Sequence, residues 1–138
     1  MKTFTCTICG KEKPWRYCQE NKYCSKVCYR HGEYLENIRK WKDGEVTGNK
    51  GVRSIQLANY VRRYIEEKYN HKCAQCGQGT TWQGKPLTLQ VEHLDGNSSN
   101  SKEENLSLLC PNCHTQTQYY GSKNKGKGRG SLLKEMRK

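Results

Sequence analysis

One phenylalanine, three prolines and two methionines are all that a chain of 138 residues contains of those types, and apolar residues make up only 33% of it. Such a chain cannot bury a large hydrophobic core. It is expected to form one small domain or two very small ones, held by something besides apolar packing. The opening residues, MKTFTCTICG, lack the apolar run of a signal peptide, and no window approaches a membrane span. A reducing, cytoplasmic setting is expected. Acidic residues are scarce as well: 13 face 25 lysines and arginines, a formal net charge of +12. That balance points to a polyanionic partner, nucleic acid first, against the plainer reading of a solvated basic surface.

What the chain has in quantity is cysteine, nine in all. In a reducing compartment, close cysteine pairs mean zinc more often than disulfides. Cys6-x2-Cys9 is followed, after fourteen residues, by Cys24-x3-Cys28. Each pair can set two thiolates on one turn of backbone, and two such knuckles make the tetrahedral site zinc prefers. Cys18 is left over, as a buried cysteine or a replacement ligand, and His31 is a weaker alternative. A second set, Cys73-x2-Cys76 and Cys110-x2-Cys113, is separated by thirty-three residues. Two structural zinc ions are expected, since four thiolates leave no position open for water. The same closure excludes a zinc deaminase, whose His-x-Glu and Pro-Cys-x-x-Cys elements leave a position open; here the order is Glu-His and Pro111 lies inside the knuckle.

The patterning divides the chain into a zinc module over 1–32, a short helix (33–42) and Gly-rich linker within 33–53, a mixed module over 54–121, and a basic tail over 122–138. In the third part, Ser54 is the expected cap of a helix whose stripe is Ile55, Ala58, Val61 and Ile65, widened by Leu57 and Tyr64. Arg62, Arg63, Glu66 and Glu67 lie off that stripe. PLTLQVEH alternates as a half-buried strand, DGNSSNSKE reads as a loop, and NLSLLC as a second strand. A helix is expected from Pro111. The tail, GSKNKGKGRG, is expected to be disordered without a partner, with a short helical end in SLLKEMRK. The fold class is thus small α+β, stabilised by zinc.

A hairpin of the two strands would bring Glu92 and His93 close to His114, which follows a zinc ligand in the first turn of the last helix. A carboxylate and an imidazole converging with positions left open suit a divalent metal such as Mg2+, Mn2+ or a transition ion. His93 beside them suits a general base. Together, Glu92-His93, Asn105 in ENLSLLC and His114 in CPNCHTQT resemble the HNH endonuclease family, with its ββα-metal (His-Me finger) fold and flanking four-cysteine zinc. KYCSKVC, Lys22 to Cys28, is similar to the zinc modules of phage and homing-type members. Glu92 departs mildly from the Asp or His commoner there.

The resemblance implies a metal-dependent endonuclease or nickase acting on double-stranded DNA in a bacterial or phage-infected cell, as monomer or homodimer. Glu92 and His114 would hold the catalytic ion, His93 would activate water, and Asn105 would orient His93, leaving 5′-phosphate and 3′-hydroxyl ends. Arg62, Arg63, Lys123, Lys125, Lys127 and Arg129 are the expected DNA contacts, with Lys11, Lys13, Arg16, Lys22 and Lys26 of the first module as candidates for specificity. The competing expectation is a catalytically weak, zinc-stabilised DNA-binding protein.

Overall fold

The computed structural model describes residues 1–17, 20–51, 55–126 and 133–135. Cys18, Ser54, Lys127 and Arg129, and the expectations placed on them, lie outside these residues, as does most of the C-terminal octapeptide. The chain is a small α+β protein in two compact units, Met1–Lys40 and Trp41–Lys138. No helix among the described residues is long and apolar enough to cross a membrane.

In the first unit, β1 (Thr3–Thr5) pairs antiparallel with β2 (Glu12–Pro14). The turn between them carries Cys6 and Cys9. It closes at Gly10, whose φ of 71° is a conformation glycine adopts without strain. Helix α1 spans Lys26–Lys42 and so begins at Lys26, not at Glu33. The cause is a cap that the apolar pattern does not reveal: the Ser25 hydroxyl accepts the Cys28 amide at 3.3 Å. Gly32 persists inside this helix because the Tyr23 ring lies 2.5 Å from where a Cβ would sit.

The second unit is built on α2 (Asn59–Lys68), which buries Val61 and Ile65. Ile55, Leu57 and Ala58 are also buried, but they precede the helix expected to include them: Leu57 bridges to Asn49 and Ala58 is the N-cap, so α2 starts at Asn59. The stretch read as a linker is pinned here. Ala58 N donates to Gly48 O at 2.8 Å, Lys50 N to Gln56 O at 2.7 Å, and the Trp41 indole to Ser101 O at 2.8 Å. One of its glycines serves close packing: a Cβ on Gly48 would lie 2.6 Å from that indole.

A two-residue turn, Gln83-Gly84, joins β3 (Thr81–Trp82) to β4 (Lys85–Pro86). Then β5 (Gln90–His93) pairs antiparallel with β6 (Leu106–Leu109), with Glu92 opposite Ser107 and His93 opposite Leu106. The alternation fails at one position. Glu92 is buried and Val91 only partly so, whereas β6 is buried along its whole length. Helix α3 (Pro111–Thr115) follows, with Pro111 in its first turn, and it is only five residues long. Beyond it the chain is held at 121–124, contrary to the disorder expected there: Gly121–Lys123 form a 3-10 turn and the Asn124 side chain donates to Gly96 O at 2.7 Å.

Candidate active site and metal centres

The cysteines form two groups, Cys6, Cys9, Cys24 and Cys28, and Cys73, Cys76, Cys110 and Cys113. In each, the four sulfurs lie within 4.8 Å of one another, and each group could hold a metal ion. His31 stays out of the first group. It packs instead against Tyr34, with ring centroids 6.1 Å apart.

The electrostatics of the sulfurs fit a cation. Burial pushes the Cys73 thiol up, but the backbone amides of Cys110, Cys76 and Gln75 outweigh it and bring the pKa to about 6. Burial and the other three sulfurs push Cys113 the opposite way, to about 12. One thiolate is favoured and a second is resisted, because like charges crowd each other. A cation among the four would relieve that conflict. Cys6 repeats the pattern: burial raises it, and the amides of Cys9, Cys24 and Ile8 bring it to about 6.

Beside the second group, β5 and α3 bring Glu92 and His114 together. His114 Nε2 lies 2.6 Å from Glu92 Oε2. His93 joins them in the wall of an open cleft of about 510 Å³. One carboxylate oxygen and one imidazole nitrogen, facing each other at the edge of an open cleft, are a donor set that suits a divalent cation. Two further groups brace the pair. Thr117 Oγ1 lies 3.4 Å from Glu92 Oε1 and donates to His114 O at 2.9 Å. The Tyr120 ring meets His114 edge-on at 5.1 Å.

Asn105 faces the loop rather than the cation position. Its amide donates to Asp95 Oδ1 at 2.9 Å and to Asn100 O at 2.7 Å, while its Oδ1 accepts Asp95 N at 3.0 Å. Its backbone carbonyl accepts Leu94 N at 2.9 Å, so the residue after His93 is fixed directly. Burial raises the Asp95 pKa, but hydrogen bonds from Asn100, the Asn97 amide and Asn105 prevail and hold it below the usual carboxylate range.

Of the expected DNA contacts, Arg62 lines the cleft. Arg63 turns along the helix to pair with Glu67 at 2.7 Å. Lys123 lies in the turn after Tyr120, and Lys125 is exposed just beyond it. Sequence reasoning missed Asp95, Thr117, Tyr119, Tyr120 and Asn124. Asp95 alone left a signal, since Asp-Gly-Asn is a turn in which the carboxylate caps nearby amides. Tyr119 left none: it fills the space that a side chain on Gly96 would occupy, 2.5 Å from the position of a Cβ.

No family model and no solved structure matches the chain. Over 76 residues it is 49% identical to the H-N-H endonuclease F-TflIV of Escherichia phage T5, a match that covers 55% of this chain and 32% of that protein. The chain therefore spans about a third of the length of that relative. The likeness is thus to part of a protein named an H-N-H endonuclease, and this chain carries two cysteine groups with the Glu92–His93–His114 cleft beside one of them.

Proposed function

We propose that the protein is a metal-dependent DNA endonuclease, with residues 54–121 as a ββα-metal nuclease module. The observation that carries this reading is the meeting of Glu92 and His114 at 2.6 Å, with His93 in the same cleft, beside four clustered cysteines. The H-N-H endonuclease likeness supports the same chemistry. A charge of +12 suits a polyanionic duplex.

Glu92 and His114 would hold one divalent cation, Mg2+, Mn2+ or a transition ion. When bound, that ion supplies Lewis-acid stabilisation of the charge that develops on a phosphodiester and its leaving 3′ oxygen. His93 takes the proton from the attacking water as general base, leaving a 5′-phosphate and a 3′-hydroxyl. Asn105 positions His93 through Leu94 and Asp95 and does not touch the substrate. The two cysteine groups would hold structural zinc. Four thiolates around each ion leave no position for water, so these sites set geometry and do no chemistry. Placing His114 next to Cys113 lets the zinc site fix a ligand of the catalytic ion.

One site cuts one strand, so a monomer nicks and a homodimer cuts both strands. Incubation of supercoiled plasmid with the full chain and Mg2+ or Mn2+ tests the reading. Nicked or linear product that EDTA suppresses is expected. Intact plasmid with every divalent ion tried, alongside retained DNA binding, would leave the zinc-stabilised DNA-binding protein as the better description.

A further inference from the structure

A cleft that receives a phosphodiester needs positive charge on its walls, and this one has little. Among the described residues that line it, Arg62 is the single lysine or arginine. It sits on the exposed face of α2 and has no acidic partner among the described residues, unlike Arg63, which is paired with Glu67. A second cleft, of about 200 Å³, adjoins the first. The two share Arg62, Val91 and His93 in their walls, and the second adds Lys50. Lys50 is fixed through its backbone, since its amide donates to Gln56 O at 2.7 Å and Asn49 bridges to Leu57. No acidic residue lines the second cleft among the described residues. In the first, the one carboxylate is Glu92.

We propose that Arg62 and Lys50 form a phosphate track leading to the site: Arg62 binds the phosphate that lies against His93, and Lys50 binds a neighbouring phosphate of the same strand. The inference rests on the nuclease reading for its orientation, and on the shared walls of the two clefts for its residues. The guanidinium offers a planar fork of donors that matches two phosphate oxygens, which an ammonium does not. Lys50 contributes charge without that geometry. Neither contact reads a base, so the track fixes where a strand lies and not which sequence is cut.

Arg62→Ala, Arg62→Lys, Lys50→Ala and, as a control of equal charge loss, Lys72→Ala are compared in the full chain. All three positions are exposed, and circular dichroism and zinc content check that each variant folds. Binding to a short duplex is measured across a salt series with no Mg2+ or Mn2+ added, so that the cysteine-held ions stay in place. Cleavage is measured separately under single turnover with Mn2+. Arg62→Ala and Lys50→Ala should each make the plot of log affinity against log salt shallower by about 0.9, the value for one lost duplex phosphate contact. Lys72→Ala should leave the slope unchanged. Arg62→Ala should also slow cleavage roughly 10²-fold, as loss of one charge-stabilising donor does, with Arg62→Lys restoring the slope but not the full rate. Unchanged slopes for both Arg62→Ala and Lys50→Ala would overturn the track. So would an equal loss in Lys72→Ala, which reports overall charge. The salt slope is read without cleavage: a wild-type chain that binds with these slope changes but never cuts would defeat the nuclease reading and leave the track standing.

Discussion

The turns CTICG and CAQCG fold alike. In each, the first cysteine's carbonyl accepts the glycine amide at 2.9 Å, its own amide donates to the residue after that glycine, at 2.9 Å in one and 2.8 Å in the other, and the glycine φ is 71° or 77°. The second halves differ. Cys24 and Cys28 open the seventeen-residue helix α1, and the next residue, Tyr29, bonds Glu33 within the same helix. Cys110 and Cys113 instead join the end of β6 to the short helix α3, and the next residue, His114, faces Glu92 on β5. The knuckle is a general clamp. What its partner pair anchors decides whether the clamp only stiffens the chain or also places a reactive group.

The strongest way to break this comparison is to remove one ligand from each clamp. Cys110→Ser should unfold the second unit and end all cleavage, because metal binding is part of its folding free energy. Cys24→Ser should lose one ion while plasmid nicking survives with altered site choice. Elemental analysis should find two zinc ions per wild-type chain and one in Cys24→Ser, with circular dichroism and plasmid assays on the same samples. A folded, active Cys110→Ser protein would refute the role given to the second clamp. Loss of all nicking in Cys24→Ser would make the clamps equivalent.

A narrower change tests the chemistry without the clamp. His93→Ala should reduce cleavage roughly 10²- to 10⁴-fold, the range for a positioned base, while zinc content and DNA affinity stay near wild type. Turnover within about tenfold of wild type would fall short of that range and remove His93 from the mechanism.

The same contrast explains what the sequence made legible. Ligand spacing is local and repeats, so both cysteine groups could be read from it, and Val61 and Ile65 showed the buried stripe of α2, though the apolar period also drew Ile55 and Ala58 into a helix that starts only at Asn59. The length of α1 was hidden because it depends on one hydroxyl, Ser25, rather than on an apolar period. The meeting of Glu92 with His114 was expected, but the burial of Glu92 was not, because alternation assigns polar residues outward. The hold on residues 121–124 was hidden because low complexity carries no sign of a single amide reaching Gly96.

Asn105 separates a structural role from a catalytic one. Asn105→Ala would strip Asp95 and the Asn100 carbonyl of buried partners, at a cost of about 1–3 kcal/mol to the second unit. Denaturant unfolding should show that loss, and the cleavage rate of the protein that remains folded should fall less than in His93→Ala. Equal rate losses with unchanged stability would put Asn105 on the substrate instead.

The smallest expected effect concerns acid. In the first unit, Glu36 pairs with Arg39 on an exposed helix face, where solvent screens the interaction. In the second, Glu103 accepts from Tyr64 and Lys68 at 2.9 Å each, and Lys42 lies 3.5 Å away. Burial raises the Glu103 pKa, but these partners outweigh it and leave it below the ordinary carboxylate value. A carboxyl whose pKa is depressed on folding stabilises the native state above its unfolded pKa, about 4.3, and that stability is lost as the pH falls through the lower folded value. Glu103→Gln should therefore be less stable than wild type at neutral pH, and the difference should shrink toward zero in acid. Both proteins carry the same two cysteine groups, so the difference between them isolates the carboxylate. Denaturant midpoints measured from neutral pH down to about 3 would show it, since that range crosses the unfolded pKa. A gap that stays constant with pH would mean that Glu103 acts through shape alone, and the charged network around it would lose its place in the contrast between the two units.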